Sequence, residues 1–501
     1  MRILLDTNIL ILRENNHIIP QNLTQMMNLI NGLENASIWV HPLSILEIQK
    51  DGNLERREIN LSKIRAYATL DSYPDYRSDN YFNNILHKPS KKNDIVDNQL
   101  LYCVEKNVVD LLITEDQGLL NNAEKIGLEQ VLNINEAISF FQKFCTNSNI
   151  TLLPTFKQKK GFEVNLKDEI FRSLINEYAG FKNWWDTKVS RRDVFVNEKD
   201  NKINAILVPK IEEKEYIDCN PSLYRDKILK ICTFKVAEHS RGLKLGECLL
   251  KMAFNYAMAN NIYEIYLTHY RQSSDYLIPL IENFGFYKYG VNKNGEEVYM
   301  KNLVPISIER PETIENVMDL NKRFYPSFYD GGLVKKHLVP IRPIYHKRLF
   351  QDFIGKEHQL TFLPIERSEG NSIKKAYICN CSSRLISRGD ILLFYQTHER
   401  KSITTLGTVE SVYYGLRDPE QIFKLIAKRT VFNLEEVKNC CSSDVTVILF
   451  NQNFNLKSEV EFKTLEEQTI VKGYIQSITN IDDYKYKQII EGNINERFII
   501  H

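Results

Sequence analysis

The 501-residue sequence predicts a multidomain α/β protein, and three observations carry that reading. The chain is longer than one hydrophobic core usually organises, which gives a prior of roughly three domains. Buried-strand runs such as ILL and VVDLLIT alternate with helical patterns from the first residues onward. Residues 305–333, with three prolines and the pair Gly331-Gly332, read as a connector, and short strands with turn signals follow it. The expected order is an α/β/α sandwich over 1–148, a mixed α/β unit over 149–304, a linker over 305–335 and a small β-barrel with helices over 336–501.

Composition bounds the function classes. Hydrophobic residues make up 43% and charged residues 26%, as in ordinary globular protein, so disorder and fibrous repeats are set aside. The net charge of +1 hides an asymmetry. Residues 1–148 hold 14 Lys/Arg against 19 Asp/Glu, a balance of −5, whereas 336–430 hold 16 against 9, a balance of +7. An acidic block beside a basic one suits a metal site next to a polyanion-binding surface. The nine cysteines, at 103, 145, 219, 232, 248, 379, 381, 440 and 441, form no disulfide framework and read as reduced thiols of a cytoplasmic protein. Neither Cys379/Cys381 nor Cys440/Cys441 has the spacing of a zinc knuckle. No run approaches the ~20 apolar residues of a membrane helix, so no membrane partner is expected.

In the first segment, Asp6 ends the run ILL and Asp116 follows the run VVDLLIT. Both acids therefore fall at the carboxyl ends of strands, where open α/β sheets place their sites. Asp94 and Asp97, three residues apart in KKNDIVDNQLLYCV, share a helix face, and Glu47 lies on another helix within SILEIQK. Converging carboxylates repel one another, and hard cations bound through oxygen are the usual reason to gather them. Any single acid here is as well explained as a helix cap, Asp94 above all. The order LLDTN, an acid near 47, NDIVDNQLL and LLITEDQGLL resembles the PIN-domain nucleases over nearly all of 1–145. That resemblance implies a metal-binding, catalytic quartet of Asp6, Glu47, Asp97 and Asp116 with Mg²⁺ or Mn²⁺, and Asp94 as auxiliary or alternative. It makes Asn8 and Thr114 hydrogen-bonding helpers, and RNA hydrolysis, often by a toxin, the activity.

In the second segment, SRGLKLGECLLKMAFNYA joins a strand to an amphipathic helix through a glycine-bearing turn, whose backbone N–H groups suit a pyrophosphate. The segment resembles the acyl-CoA loop of the GNAT acetyltransferases, and Phe284, Gly285 and Phe286 resemble that family's closing signature, over about 160–303. The resemblance implies acetyl-CoA as cofactor, cradled by Arg241, Gly242, Leu243, Lys244, Leu245 and Gly246, with Phe234 and Val236 of the strand TFKV along the pantetheine arm. Two departures stand out. Lys244 replaces the usual loop glycine, and Ile281 occupies the place of the tyrosine that often protonates the leaving thiolate. Tyr276 and Tyr287 are out of register, and Glu238 is a weak candidate base.

In the third segment, GDILLFY followed by GTVE resembles the ASCH and EVE branch of PUA-like domains, which implies RNA or modified-base binding. His337, Arg342, His346, Lys347 and Arg348 alternate with Tyr345 and Phe350, and Arg384, Arg388, Arg400 and Lys401 flank Phe394 and Tyr395. Cations for phosphates and aromatic faces for bases are the ingredients of single-strand recognition. The sequence expectation is thus an RNA-directed ribonuclease with an acyl-CoA module and an RNA-docking module, tRNA being the favoured RNA. A protein antitoxin is the second partner such a toxin implies. The alternatives are an acetyltransferase of a protein or small amine with the flanking modules as targeting units, and a non-catalytic RNA-binding regulator.

Overall fold

The computed structural model describes all residues except 15–19, 32, 34–35, 53–56, 58–59, 62–63, 65–66, 87–91, 144–155, 200–201, 242, 272–274, 306, 308–309, 355–371, 381–383, 427–428 and 430. The expected boundary near 146–150 lies outside the described residues, as do Gly242, Cys145 and Cys381. The chain is a mixed α/β protein of several sheets, and it divides into two compact units.

The first unit comprises Met1–Asn149 together with Asp418–Lys428 and Asn433–Val437. Its sheet is parallel throughout, in the order β3-β2-β1-β4-β5, from β1 (Arg2–Leu5), β2 (Ser37–Val40), β3 (Ala68–Thr69), β4 (Leu111–Ile113) and β5 (Val131–Leu132). Ile3, Leu4, Leu5, Leu111, Leu112 and Ile113 are fully buried, which is why these strands read as unbroken apolar runs rather than alternating ones. Leu4 and Leu112 pack with Leu100, Leu101 and Val104 of the helix Lys92–Glu105. The returning segment brings the helix Pro419–Leu425 into this unit, where Phe423 meets Phe140 at 5.4 Å and Lys424 Nζ pairs with Asp110 at 2.6 Å.

The second unit holds a seven-stranded sheet in the order β11-β12-β10-β9-β8-β7-β6. Its strands are β6 (Phe156–Lys160), β7 (Asp193–Lys199), β8 (Lys202–Ile217), β9 (Leu223–Val236), β10 (Glu264–His269), β11 (Tyr287–Val291) and β12 (Glu297–Asn302). Only β9 and β10 run parallel, and the helix Leu245–Ala259 makes the crossover between them. Leu249, Ala253, Phe254 and Ala257 of that helix are buried in one cluster with Leu229, Ile231, Ile265 and Leu267 of the sheet.

The same unit contains a six-stranded sheet, β15-β18-β17-β16-β14-β19, built from β14 (Lys336–Ile341), β15 (Lys374–Cys379), β16 (Ile391–Gln396), β17 (Ser402–Leu416), β18 (Val445–Glu461) and β19 (Thr479–Ile481). Among the described residues its order runs from β15 to β19 with no pairing that closes it, and the small β-barrel that the sequence suggested is seen only as this sheet. Residues 305–333 supply Val317, Phe324, Phe328 and Tyr329 to the core beneath this sheet. β13 (Phe328–Tyr329) also pairs with β20 (Ile499–Ile500) near the end of the chain.

Candidate functional sites

Two places gather chemistry. In the first unit the strand ends set the acids. Asp6 is the residue after β1, buried at 6% exposure, and Thr114 and Asp116 follow β4. Thr114 Oγ1 donates to Asp6 Oδ2 at 2.6 Å and accepts from the Asp116 N–H at 2.9 Å, while Asn8 Nδ2 donates to the same hydroxyl at 3.3 Å. Thr7 Oγ1 donates to Glu47 Oε2 at 2.8 Å, tying the helix Pro42–Gln49 to the end of β1. Asn8 and Thr114 thus bridge the two strand ends. Thr7 was missed, although its place beside Asp6 in LLDTN was the available signal. Asp116 also caps the helix Gln117–Lys125, its Oδ1 accepting from the Leu119 N–H at 2.9 Å, so the cap reading and the site reading hold together there.

Electrostatics shows which acids converge. Burial pushes the Asp97 carboxyl up to about 8, and the charges of Asp6, Asp116, Glu47 and, last, Asp94 push it the same way. Burial likewise lifts Asp6 to about 6, against the hydrogen bonds from Thr114 and Thr7, with Asp116 and Glu47 adding repulsion. Asp97 thus faces the charges of the other three members of the expected quartet ahead of that of Asp94, and Asp6 faces those of Asp116 and Glu47. The donors are all oxygen, which suits a hard cation. Among the described residues, however, no group of three or more His, Cys, Asp or Glu side chains is set to hold a metal ion.

In the second unit the geometry begins with a bulge. β9 pairs with β8 through Ile231↔Pro209 and then Thr233↔Val208, so Cys232 is an extra residue on β9. A bulge bends and twists the strand that carries it. On its other side β9 pairs with β10 only through Leu229↔Ile265, Lys230↔Tyr266 and Ile231↔Leu267. Beyond that point 232–236 of β9 and 268–269 of β10 part, and backbone groups on the facing edges lose their ladder. The turn after β9 leads directly into the helix Leu245–Ala259, whose amino end opens beside this gap. Phe234 and Val236 pack partly buried against the core there, and Leu243 does the same.

The cations of the turn are committed to neighbours. Arg241 lies 4.2 Å from the centroid of the Tyr276 ring and 3.4 Å from Glu238 Oε1, and the Glu238 side chain is 85% exposed. Lys244 takes up a left-handed backbone with φ of 59°, the conformation that explains the glycine expected in its place, and its Nζ pairs with buried Glu247 at 3.1 Å. Gly246 faces Leu280, whose Cδ2 would lie 2.7 Å from an added Cβ. Ile281 is fully buried in the core, so its position supplies packing and no proton, while Tyr287 stands 40% exposed on β11. A pair that the sequence reading missed sits at the other lip of the gap: His269 Nε2 meets Asp275 Oδ2 at 2.7 Å. Its only sequence signal was a histidine closing the strand run EIYLTH.

Of the four aromatics expected to stack bases in the last third, Tyr345 is half-buried and the other three are withdrawn into the core. Phe350, Phe394 and Tyr395 are buried, and the rings of Phe350 and Phe394 lie 4.8 Å apart in the core. His337 and His346 are fully buried as well, bonded to Asp390 at 2.9 Å and to Thr404 at 2.7 Å. Tyr345, His346, Lys347 and Arg348 lie on the helix Pro343–Leu349, which turns His346 and Leu349 into the core, and β16 with Phe394 and Tyr395 is buried along its whole length. Arg342, Arg384 and Arg388 are exposed, whereas Arg400 pairs with Glu459 and Lys347 with Glu399.

No family model and no curated protein matches the sequence. Parts of the chain are similar to solved structures of two kinds. An ASCH protein from Zymomonas mobilis is 12% identical over 33% of this chain and 99% of its own, with a TM-score of 0.25. The PaiA N-acetyltransferase of Thermoplasma acidophilum, solved in complex with coenzyme A, is 14% identical over 30% of this chain and 99% of its own, with a TM-score of 0.23. A putative GNAT-family acetyltransferase from Desulfovibrio desulfuricans is 12% identical over 29% and 97%, also with a TM-score of 0.23. None of these three speaks for a nuclease, and that reading rests on the acids of the first unit alone.

Proposed function

We propose that the second unit is a CoA-dependent N-acyltransferase. One observation carries the reading: β9 and β10 part beyond Ile231↔Leu267, beside the amino end of the helix Leu245–Ala259. A gap between parallel strands offers unladdered backbone groups to the amides of an extended pantetheine arm, in the manner of an added strand. The adjoining helix terminus suits a diphosphate, with the N–H groups at its start and its dipole both favouring an anion. Phe234, Val236, Arg241, Leu243, Lys244, Leu245 and Gly246 line the two features, and Gly242 completes the turn in sequence. Titrating the full chain with acetyl-CoA in a calorimeter tests this. Saturable binding is expected, weakened at least tenfold by Gly246→Trp, and no binding to the wild type would end the reading.

A second reading is favoured by the lifted carboxyl of Asp97, on the helix Lys92–Glu105, and by the Thr114 bridge between Asp6 and Asp116 at the strand ends. Asp6, Glu47, Asp97 and Asp116 would hold Mg²⁺ or Mn²⁺, which supplies Lewis acidity for phosphodiester hydrolysis when bound. RNA, with tRNA foremost, is the substrate and partner we assign to it. The excess of cations over 336–430 and the exposed Arg342, Arg384 and Arg388 support that choice. Incubation of total RNA with the protein and Mn²⁺ should give fragments that Asp6→Asn and Asp116→Asn abolish. Intact RNA under every divalent metal would remove this second activity.

A further inference from the structure

We propose that His269, held by Asp275, is the general base that takes the proton from the acceptor amine at the mouth of the gap between β9 and β10. The inference rests on the acyltransferase reading and adds a residue to it. His269 is the last residue of β10, two beyond Leu267, where the ladder to β9 ends. Side chains alternate along a strand, so His269 points to the same face as Ile265 and Leu267, which pack on the helix Leu245–Ala259. It therefore stands on the helix side of the sheet, at the lip where the two strands have parted.

Its partner is a fixed anion. Asp275 Oδ1 accepts from the N–H groups of Leu277 at 2.9 Å and Ile278 at 3.0 Å, at the start of the helix Leu277–Glu282. Backbone donors favour the charged carboxylate. The other oxygen, Oδ2, receives the His269 Nε2–H at 2.7 Å. A carboxylate can only accept, so this bond sets the imidazole tautomer and leaves the Nδ1 lone pair as the basic site. The ring is 20% exposed and Asp275 10%, enough access for a substrate and little for bulk water. The remaining charged groups on this face come from the neighbouring strands. Glu297 of β12 is the register partner of His269, and its carboxylate is bonded to Lys288 and Tyr299, with Arg271 nearby.

The step balances without a further reactant. The amine nitrogen forms a bond to the acyl carbon, its proton passes to Nδ1 of His269, the C–S bond breaks, and CoA leaves as a thiolate. The imidazolium then gives its proton to solvent, from which the thiolate takes one. With Ile281 in the core, no side chain at that place protonates the thiolate, and the solvent proton serves instead.

The experiment uses the full chain, acetyl-CoA as donor and a mixture of aminoacyl-tRNAs as the acceptor probe. In His269→Gln, kcat is expected to fall by about 100-fold or more, the usual scale for losing a general base, with the Kd for acetyl-CoA changed by less than about threefold. Asp275→Asn keeps an oxygen for the helix N–H groups. It should lower kcat as well, with the Kd for acetyl-CoA again little changed, because the ring loses the acceptor that orients it. A readout independent of turnover is the nitrogen NMR spectrum of the free protein, where His269 should show the Nε2–H tautomer and lose that preference in Asp275→Asn. Wild-type turnover retained in His269→Gln, or an Nδ1–H tautomer in the free protein, overturns the assignment alone. A wild-type protein that does not bind acetyl-CoA overturns the transferase reading and this assignment with it.

Discussion

Asp97 shows how much one residue can carry. Its carboxyl is lifted to about 8, first by burial and then by Asp6, Asp116, Glu47 and Asp94, whereas an unfolded aspartate titrates near 3.9. A raised folded pKa means that the folded state holds its proton more tightly than the unfolded one. The associated stability is complete below about pH 4 and is lost as pH rises through about 8. Asp97→Asn removes the charge and keeps the shape, so at pH 8 the metal-free variant should be more stable than the wild type, by at least about 1 kcal/mol, and at pH 4 the two should coincide. Urea melts at the two pH values, in chelator, check this. The same variant bears on the second reading of function, since Mn²⁺ should raise the Tm of the wild type more than that of Asp97→Asn. Equal shifts in both would mean that Asp97 holds no metal.

At the scale of elements, the helix Leu245–Ala259 decides whether the second unit has a site at all. Its buried face rests on Phe254, which lies 5.7 Å from the ring of Tyr325 and 6.3 Å from that of Phe286. Phe254→Ala should cost about 3–5 kcal/mol, the range for emptying an aromatic from a core, read as a fall in Tm with acetyl-CoA affinity lost in parallel. Much of this element was legible: the 3.6-residue period of LLKMAFNYA, the turn before it and the strand TFKV all follow from local pattern. What the sequence withheld is tertiary. The bulge at Cys232 depends on the register of β8 against β9, and no single strand declares its register. His269 meets Asp275 because a helix start folds back toward the end of β10. The acids of the first unit were readable because strand ends leave a signal, an apolar run stopped by a carboxylate. The aromatics of the last third misled, since a helix with one face in the core and a strand buried on both faces can have the composition of a stacking platform.

Across the whole molecule, the two units carry buried carboxyl groups of opposite pH response. In the second unit Lys251, on the far side of the helix from the sheet, donates to Gln452 Oε1 at 2.9 Å and pairs with Asp352 at 3.1 Å, while Glu247 accepts from the backbone N–H of Lys374 at 2.5 Å. These bonds join the helix Leu245–Ala259 to β15 and β18 of the six-stranded sheet and to Asp352. Burial alone would raise the Asp352 carboxyl, but the charge of Lys251 and the hydrogen bond from Gln452 outweigh it and hold the group at about 2. A lowered carboxyl gives the reverse linkage to that of Asp97: its stability is present above about pH 4 and is lost as pH falls from about 4 to about 2. Asp97 should thus strengthen the first unit as pH drops from 8 toward 4, against buried His41 at about 4. In the second unit Asp352 weakens the fold below about 4, and buried His346, at about 3, adds a loss from about 6.5 downward. The tryptophans separate them, because Trp39 lies in the first unit and Trp184 and Trp185 in the second. In Trp39→Phe the remaining fluorescence should report an acid transition between pH 4 and pH 2. Asp352→Asn should lower stability at pH 7 by about 1–3 kcal/mol and flatten that acid transition, since the titrating charge is gone while the amide still meets Gln452 and Asn455. An acid transition of unchanged steepness in Asp352→Asn would place the acid sensitivity of the second unit elsewhere, with Glu410, held well below its ordinary range despite burial by Arg429 and Lys374, as the next group to vary.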